Sequence, residues 1–317
     1  LLGTHQGGFS RFRLDATAAL RPGERNVLVV RTDNTKPAVG TTTADTLPLN
    51  GDFFVHGGLY RPVSLIATDA VHIDMLDAGG PGVYATTTAV TGARADIGLT
   101  VKLRNDGARA MPLRIVTLLV DAAGTVAAEA SRSIAVAAMT NANARSSLSV
   151  ANPHLWQGVA DPYLYRLVVE VRGPDGLMLD RVEQPYGIRT MRFDAAKGFF
   201  LNGKSYPLRG VGYHQDREGK GWAISPADVE QDVAILREMG ANSIRLTHYQ
   251  HGQTIHDLAD KYGLIVWDEI PLVSQWTLGG KKNASAGLLA DARQQLTEEI
   301  RQNGNHASVA NWGIANE

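Results

Sequence analysis

From residue 205 onward the chain repeats one unit, a short β-rich run followed by an amphipathic helical stretch. "SYPLRGVGYH" (205–214) reads as a strand. "SPADVEQDVAILREMG" (225–240) carries helix signals from end to end. Ser225 suits the N-cap, Pro226 the first helical position and Asp228 the first turn; Val229, Val233 and Leu236 share one face, and Gly240 ends the run. The unit recurs as strand "ANSIRLTH" (241–248), a helix near 254–262, strand "LIVWDE" (264–269), a helix near 286–303 and strand "VANWGIANE" (309–317). Strands alternating with amphipathic helices predict a parallel sheet covered by helices. Four such strands make the first half of a (β/α)8 TIM barrel, since a whole one takes roughly 250 residues. The half-barrel is assigned to residues 187–317. His214, His248, Asp268, Glu269, Asn316 and Glu317 all fall at the C-terminal ends of their strands, the end at which such barrels do chemistry.

The preceding stretch has a different period. Leu99, Val101 and Leu103 alternate, Leu118 and Val120 precede the turn "DAAG", and Tyr165, Leu167, Val169 and Val171 alternate up to "GPDG". Short alternating strands with turn signals about every ten residues predict an immunoglobulin-like β-sandwich, placed at 69–186. Before it, Val27 to Val30 and "RPVSLIAT" (61–68) read as strands, joined by a long loop over 35–52 of the length that often serves function.

Composition removes several classes. The formal net charge of −1 offers no footprint for nucleic acid or an anionic membrane, and no apolar run reaches the length of a spanning helix. The absence of cysteine excludes disulfides, thiolate metal sites and a cysteine nucleophile, and leaves the compartment open.

The carboxyl of Glu317 could serve as a general acid, since apolar walls or a second carboxylate would raise its pKa; it could equally be an ordinary terminal residue. His214 and His248 fit donors to sugar hydroxyls, metal ligands, or packing residues, and no H-x-H or H-E-x-x-H spacing supports the metal. Asp52 follows Asn50-Gly51 and fits a turn. "EGKG" (218–221) lacks P-loop spacing and reads as a flexible loop over the site.

Six stretches in order resemble glycoside hydrolase family 2: "GDFFVHGGLYRPVSL" (51–65), "LWQGVADPYLYRLVVEV" (155–171), "LRGVGYHQDREGKGWA" (208–223), "GANSIRLTHYQH" (240–251), "YGLIVWDEIPLV" (262–273) and "NHASVANWGIANE" (305–317). The resemblance implies a jelly-roll sugar-binding domain, of which 1–68 would be the C-terminal part, then the sandwich, then the catalytic barrel. It implies a retaining exo-β-glycosidase with Glu317 as acid/base and Asn316 on the sugar 2-hydroxyl. His214 and His248 would line the pocket, Arg245 would stand at the site, and Asp52 would reach the terminal sugar. The expected activity is that of a β-galactosidase acting on a β-galactoside or related oligosaccharide. A β-glucuronidase, another glycosidase of the family, or a non-catalytic carbohydrate-binding fragment are the alternatives. No cofactor is expected, and a homo-oligomer is compatible with the family. Many large β-galactosidases carry magnesium ligands after strand three, where this sequence has Val273 and Gln275, so no metal is expected there. By the same resemblance the nucleophile is a second Glu on a later strand, and the chain is expected to be truncated at both ends.

Overall fold

The computed structural model describes residues 1–47, 53–273 and 286–316. Two packed units carry the regular structure. In the first, β1 (Val71–Ile73), β2 (Val83–Val90), β3 (Arg94–Asn105) and β6 (Thr140–Ala151) form one antiparallel sheet. Facing it are β4 (Met111–Val120), β5 (Val126–Val136), β7 (Tyr165–Arg172) and β8 (Met178–Tyr186), in the order β5-β4-β7-β8. The period-2 pattern is the cause. Ala95, Ile97, Leu99, Val101 and Leu103 of β3 all turn inward, and meet Leu119, Leu167, Val169 and Val171 from the other sheet in one core.

A small antiparallel sheet of β9 (Met191–Asp194), β10 (Gly198–Leu201) and β11 (Lys204–Ser205) leads to the second unit. There β12 (Gly210–Tyr213), β13 (Ser243–Leu246), β14 (Ile265–Glu269) and β15 (Val309–Gly313) lie parallel in sequence order. The helices α1 (Pro226–Glu238), α2 (Gln253–Tyr262) and α3 (Ala286–Asn303) connect them. Ser225 caps α1 by accepting from the Asp228 amide while Asp228 accepts from the Ser225 amide, a closed capping box. Gly240 (φ 77°) and Gly263 (φ 79°) follow α1 and α2 in the left-handed conformation that a side chain would disfavour. Val229, Val233 and Leu236 pack with Ile244, Leu246, Leu258 and Val266 in the layer between helices and sheet.

The sandwich grips the end of the half-barrel opposite the candidate site. Buried Trp156 donates from Nε1 to the Asp260 carbonyl (2.9 Å), and Arg189 donates to the carbonyls of Ala307 (2.9 Å) and Val309 (3.1 Å). Asn305 pairs with the β2 backbone in both directions, donating to Val83 O (2.7 Å) and accepting from Ala85 N (3.0 Å). These contacts surround the loop entering β15, at the N-terminal end of that strand.

The strands expected at 27–30 and 61–68 do not form: no described residue before Val71 belongs to a strand. A β-branched run becomes a strand only against a ladder partner, and Val27, Leu28 and Val29 lie exposed with none. The segment is tied down by side chains instead. His5 and Ser10 contact Glu298 of α3, and the Arg11 amide donates to Gln302 Oε1 (3.0 Å). Further along, Leu47 N donates to Asp291 (2.7 Å).

Candidate active site

Pleating separates the two adjacent acids that end β14. Asp268 turns toward the helices, where Oδ2 accepts from His256 Nε2 (2.8 Å) and Asn303 Nδ2 (2.9 Å). Burial works against its charge, but His256 and Asn303 outweigh burial and hold the carboxyl below its ordinary value. Asp268 is therefore an interlayer residue, contrary to its sequence placement among the residues of the strand-end face.

Glu269 turns the other way and organises the site. It is fully buried, and both its oxygens are engaged. Arg245 donates to it twice, from Nε to Oε2 (2.8 Å) and from Nη2 to Oε1 (3.0 Å); His248 Nδ1 lies 2.8 Å from Oε1. The same Nη2 donates to Asn316 Oδ1 (2.8 Å), and the guanidinium lies over Trp267, 5.3 Å from the ring centroid. One buried carboxylate on β14 thus fixes an arginine from β13, which in turn orients the amide that follows β15. The Asn316 backbone N–H donates to Leu272 O (2.8 Å), bringing the last strand's exit against the segment after β14.

His214 stands beside this network. Its Nδ1 is 3.2 Å from Tyr249 Oη, and its ring meets that of His248 edge-on at 5.4 Å. Tyr249 is fully buried and stacks on Phe9 (4.4 Å). Burial, with the charge of Asp216, raises the pKa of its phenol, so the hydroxyl keeps its proton. Phe53 closes the cluster, with its ring 5.2 Å from His214 and 6.0 Å from His248.

Of the residues singled out from sequence, the structure brings Arg245, His248 and Asn316 into one hydrogen-bonded group and sets His214 alongside. Asp52 and Glu317 lie outside the described residues. Sequence reasoning missed the central part played by Glu269 and missed Phe53 altogether. The alternation of β14 could have flagged the first; nothing local flags the second.

Two family models match the chain: the TIM barrel domain of glycosyl hydrolases family 2 over residues 194–317, and glycosyl hydrolases family 2 over residues 72–189. The chain belongs to glycosyl hydrolases family 2. A β-glucuronidase of Bacteroides fragilis is 38% identical over all of this chain, which spans 44% of that protein. A β-galactosidase of Bacteroides ovatus is 33% identical, again over the whole chain, which spans 35% of it. Among solved structures, a candidate β-galactosidase from B. fragilis superposes with a TM-score of 0.92 at 37% identity, covering 100% of this chain and 45% of that one. A calcium-binding mutant of Bacteroides uniformis β-glucuronidase 2 gives a TM-score of 0.87 at 30% identity, covering 98% of this chain and 36% of that one. The chain thus spans less than half the length of these relatives.

Within this family 2 site, Val273 is buried and bridges Asn316, and Gln275 lies outside the described residues. Among the described residues no group of three or more His, Asp or Glu is placed to hold a metal. The "EGKG" stretch, expected as a loose loop, is a tethered turn. Arg217 bridges to Gly221, and both Arg217 (2.6 Å) and Lys220 (2.8 Å) pair with Asp228 at the head of α1.

Proposed function

We propose that these residues serve a retaining exo-β-glycosidase that removes a terminal β-linked sugar, with a β-D-glucuronide as the first substrate to test. The observation that carries the reading is the network of Glu269, Arg245, His248 and Asn316 at the strands' C-terminal ends. It holds an amide and an imidazole rigid where a substrate would meet the barrel. The initial expectation of a β-galactosidase gives way here, because the relatives at 38% and 28% identity from B. fragilis and Paenibacillus borealis both bear the name β-glucuronidase. A β-galactoside remains the second reading, supported by the B. ovatus relative and the B. fragilis structure.

In this proposal Glu317 protonates the glycosidic oxygen and then deprotonates water, and Asn316 binds the 2-hydroxyl under the grip of Arg245. His214 and His248 line the sugar pocket, and Asp52 reaches the terminal sugar. Residues 1–68 are taken as part of a sugar-binding jelly roll. Retention needs a nucleophilic carboxylate about 5–5.5 Å from the acid. Glu269 is not proposed for that step, since Arg245 and His248 occupy both its oxygens. The proposal takes the nucleophile from outside this sequence.

The test compares aryl β-glucuronides and aryl β-galactosides in a protein carrying these residues, wild type against Glu317→Gln. The mutant is expected to lose about 100-fold or more on a poor leaving group and to keep the first step on an acidic phenol, which needs little protonation. Equal wild-type and mutant rates on the poor leaving group would remove Glu317 from the role. A β-galactoside preferred tenfold over the glucuronide would decide for the second reading.

A further inference from the structure

Where the sandwich meets the barrel, β2, the end of β8 and the loop entering β15 line a cavity of about 40 Å3. Thr87, Tyr186, Arg189, Asn305 and His306 make its polar lining. The chemistry of that lining is one-sided. Arg189, only partly exposed, donates from Nε to Ala307 O (2.9 Å) and from Nη2 to His306 O (3.3 Å) and Val309 O (3.1 Å). Among the described residues its Nη1 has no acceptor and its charge has no carboxylate at ion-pair distance. The carboxylate whose field it feels, Asp260, is already engaged by His306 Nδ1 (2.7 Å) and the Ser308 N–H (2.7 Å). Tyr186 Oη and Thr87 Oγ1 lie 2.9 Å apart, so one of their two hydroxyl protons sits between them and the other is left to donate. Burial raises the pKa of the Tyr186 phenol, which keeps its proton. Asn305 is occupied on both its polar atoms by β2.

The side chains thus offer the cavity N–H and O–H donors beside a cation, and its occupant must accept hydrogen bonds. Water would meet the donors but leave the guanidinium charge unbalanced in a partly desolvated place. The 40 Å3 on offer is little more than one water's share of liquid volume, about 30 Å3, so the occupant is close to monatomic. We propose that this junction is a halide site, in which a chloride ion held by Arg189 Nη1 and the remaining hydroxyl proton of the Tyr186–Thr87 pair ties the sandwich to the loop that feeds β15. Its ligands come from residues 87, 186 and 189, which only the folded chain brings together, so chloride stabilises the fold by mass action.

The experiment is urea unfolding at neutral pH with chloride raised from about 5 to about 200 mM, gluconate holding the ionic strength constant. For a dissociation constant on the order of 10 mM, the folding equilibrium constant of the wild type is expected to rise about tenfold across that range. Arg189→Gln should reduce the rise to less than about twofold. The double variant Thr87→Val/Tyr186→Phe keeps Arg189, removes both hydroxyls, and should cut the response severalfold; it serves if the Gln variant does not fold. Wild-type crystals soaked in bromide should show an anomalous peak within hydrogen-bonding reach of Arg189 Nη1. Equal stability of the wild type in chloride and gluconate would overturn the assignment. So would a chloride response undiminished in both variants, the mark of ions acting elsewhere on the surface. A bromide-soaked crystal without a peak beside Arg189 would give the cavity to water and overturn it as well.

Discussion

Replacing Glu299 by Gln should make the protein more stable at neutral pH, by a margin that shrinks as pH falls to 5. Glu299 lies on α3 with no exposed surface, and neither of its carboxyl oxygens has a hydrogen-bond partner among the described residues. Burial, and then the charges of Asp268 and Glu269, raise its pKa well above the ordinary value. The folded state therefore holds the Glu299 proton to a higher pH than the unfolded chain does. As pH rises from the unfolded pKa near ~4.3 toward the folded one, the unfolded state releases its proton first. Stability then falls by about 1.4 kcal/mol per pH unit over that window. Gln keeps the shape of the neutral acid and cannot titrate, so the difference between mutant and wild type isolates this one group.

The assay is urea unfolding of both proteins across pH 5 to 8, followed by tryptophan fluorescence, with Trp156, Trp222, Trp267 and Trp312 reporting on the barrel and its junction with the sandwich. The expected result is a gap in favour of Gln that is smallest at pH 5 and widens as pH rises, by up to about 1.4 kcal/mol per pH unit while the folded group keeps its proton. Glu299→Ala serves as a control and should destabilise at both pH values, because it leaves a cavity. A gap independent of pH, or a Gln variant less stable than wild type at pH 7, would refute the reasoning. It would mean that Glu299 is ionised in the fold and compensated.

Two further outcomes follow from other buried groups. His306 pairs with Asp260 (2.7 Å), and although burial lowers its pKa, the Asp260 carboxylate outweighs burial and raises it. That stabilisation is present in full below the unfolded pKa of about 6.5 and is lost as pH rises through the folded value. His306→Gln should thus cost about 3–5 kcal/mol at pH 5.5 by stranding the Asp260 charge, with a smaller cost at pH 9; urea midpoints at the two pH values would show it, and an equal cost at both would count against it. Ser225→Ala should cost about 1 kcal/mol by opening the α1 capping box, and Ser225→Gly only a few tenths, which the same unfolding curves resolve.

The parts of the molecule that were legible in the sequence are those whose signal is local. Ser225, Pro226 and Asp228 mark the start of α1 because a helix N-terminus has unsatisfied amides that only certain side chains can meet. The alternation in β3 and β7 was legible because one face is buried and the other is not. Val27 to Val30 has the same residue types and forms no strand, since pairing is a property of two segments and sequence shows only one. Arg245, His248 and Asn316 were placed at strand ends by the βα pattern, but the pattern is silent on what joins them. Glu269 joins them, and Phe53 sits 161 residues ahead of His214 in a segment with no periodicity of its own.

The Asp268–Glu269 pair shows why such a site needs two acids in sequence rather than one. A barrel strand has one face in the interior and one against the helices, so consecutive residues must serve different layers. Glu269 carries charge into the interior and draws Arg245 and His248 onto itself. Asp268 does the equivalent in the helix layer, where His256 of α2 and Asn303 of α3 close on one oxygen and fix both helices against the strand. Rotating β14 by one residue would exchange the two and break both sets at once, leaving buried charges without partners at about 3–5 kcal/mol each. Register and site are therefore specified by the same atoms. Glu299 belongs to the same arrangement: burial, and then the charges of Asp268 and Glu269, raise its pKa and favour the neutral form of a third acid in this region.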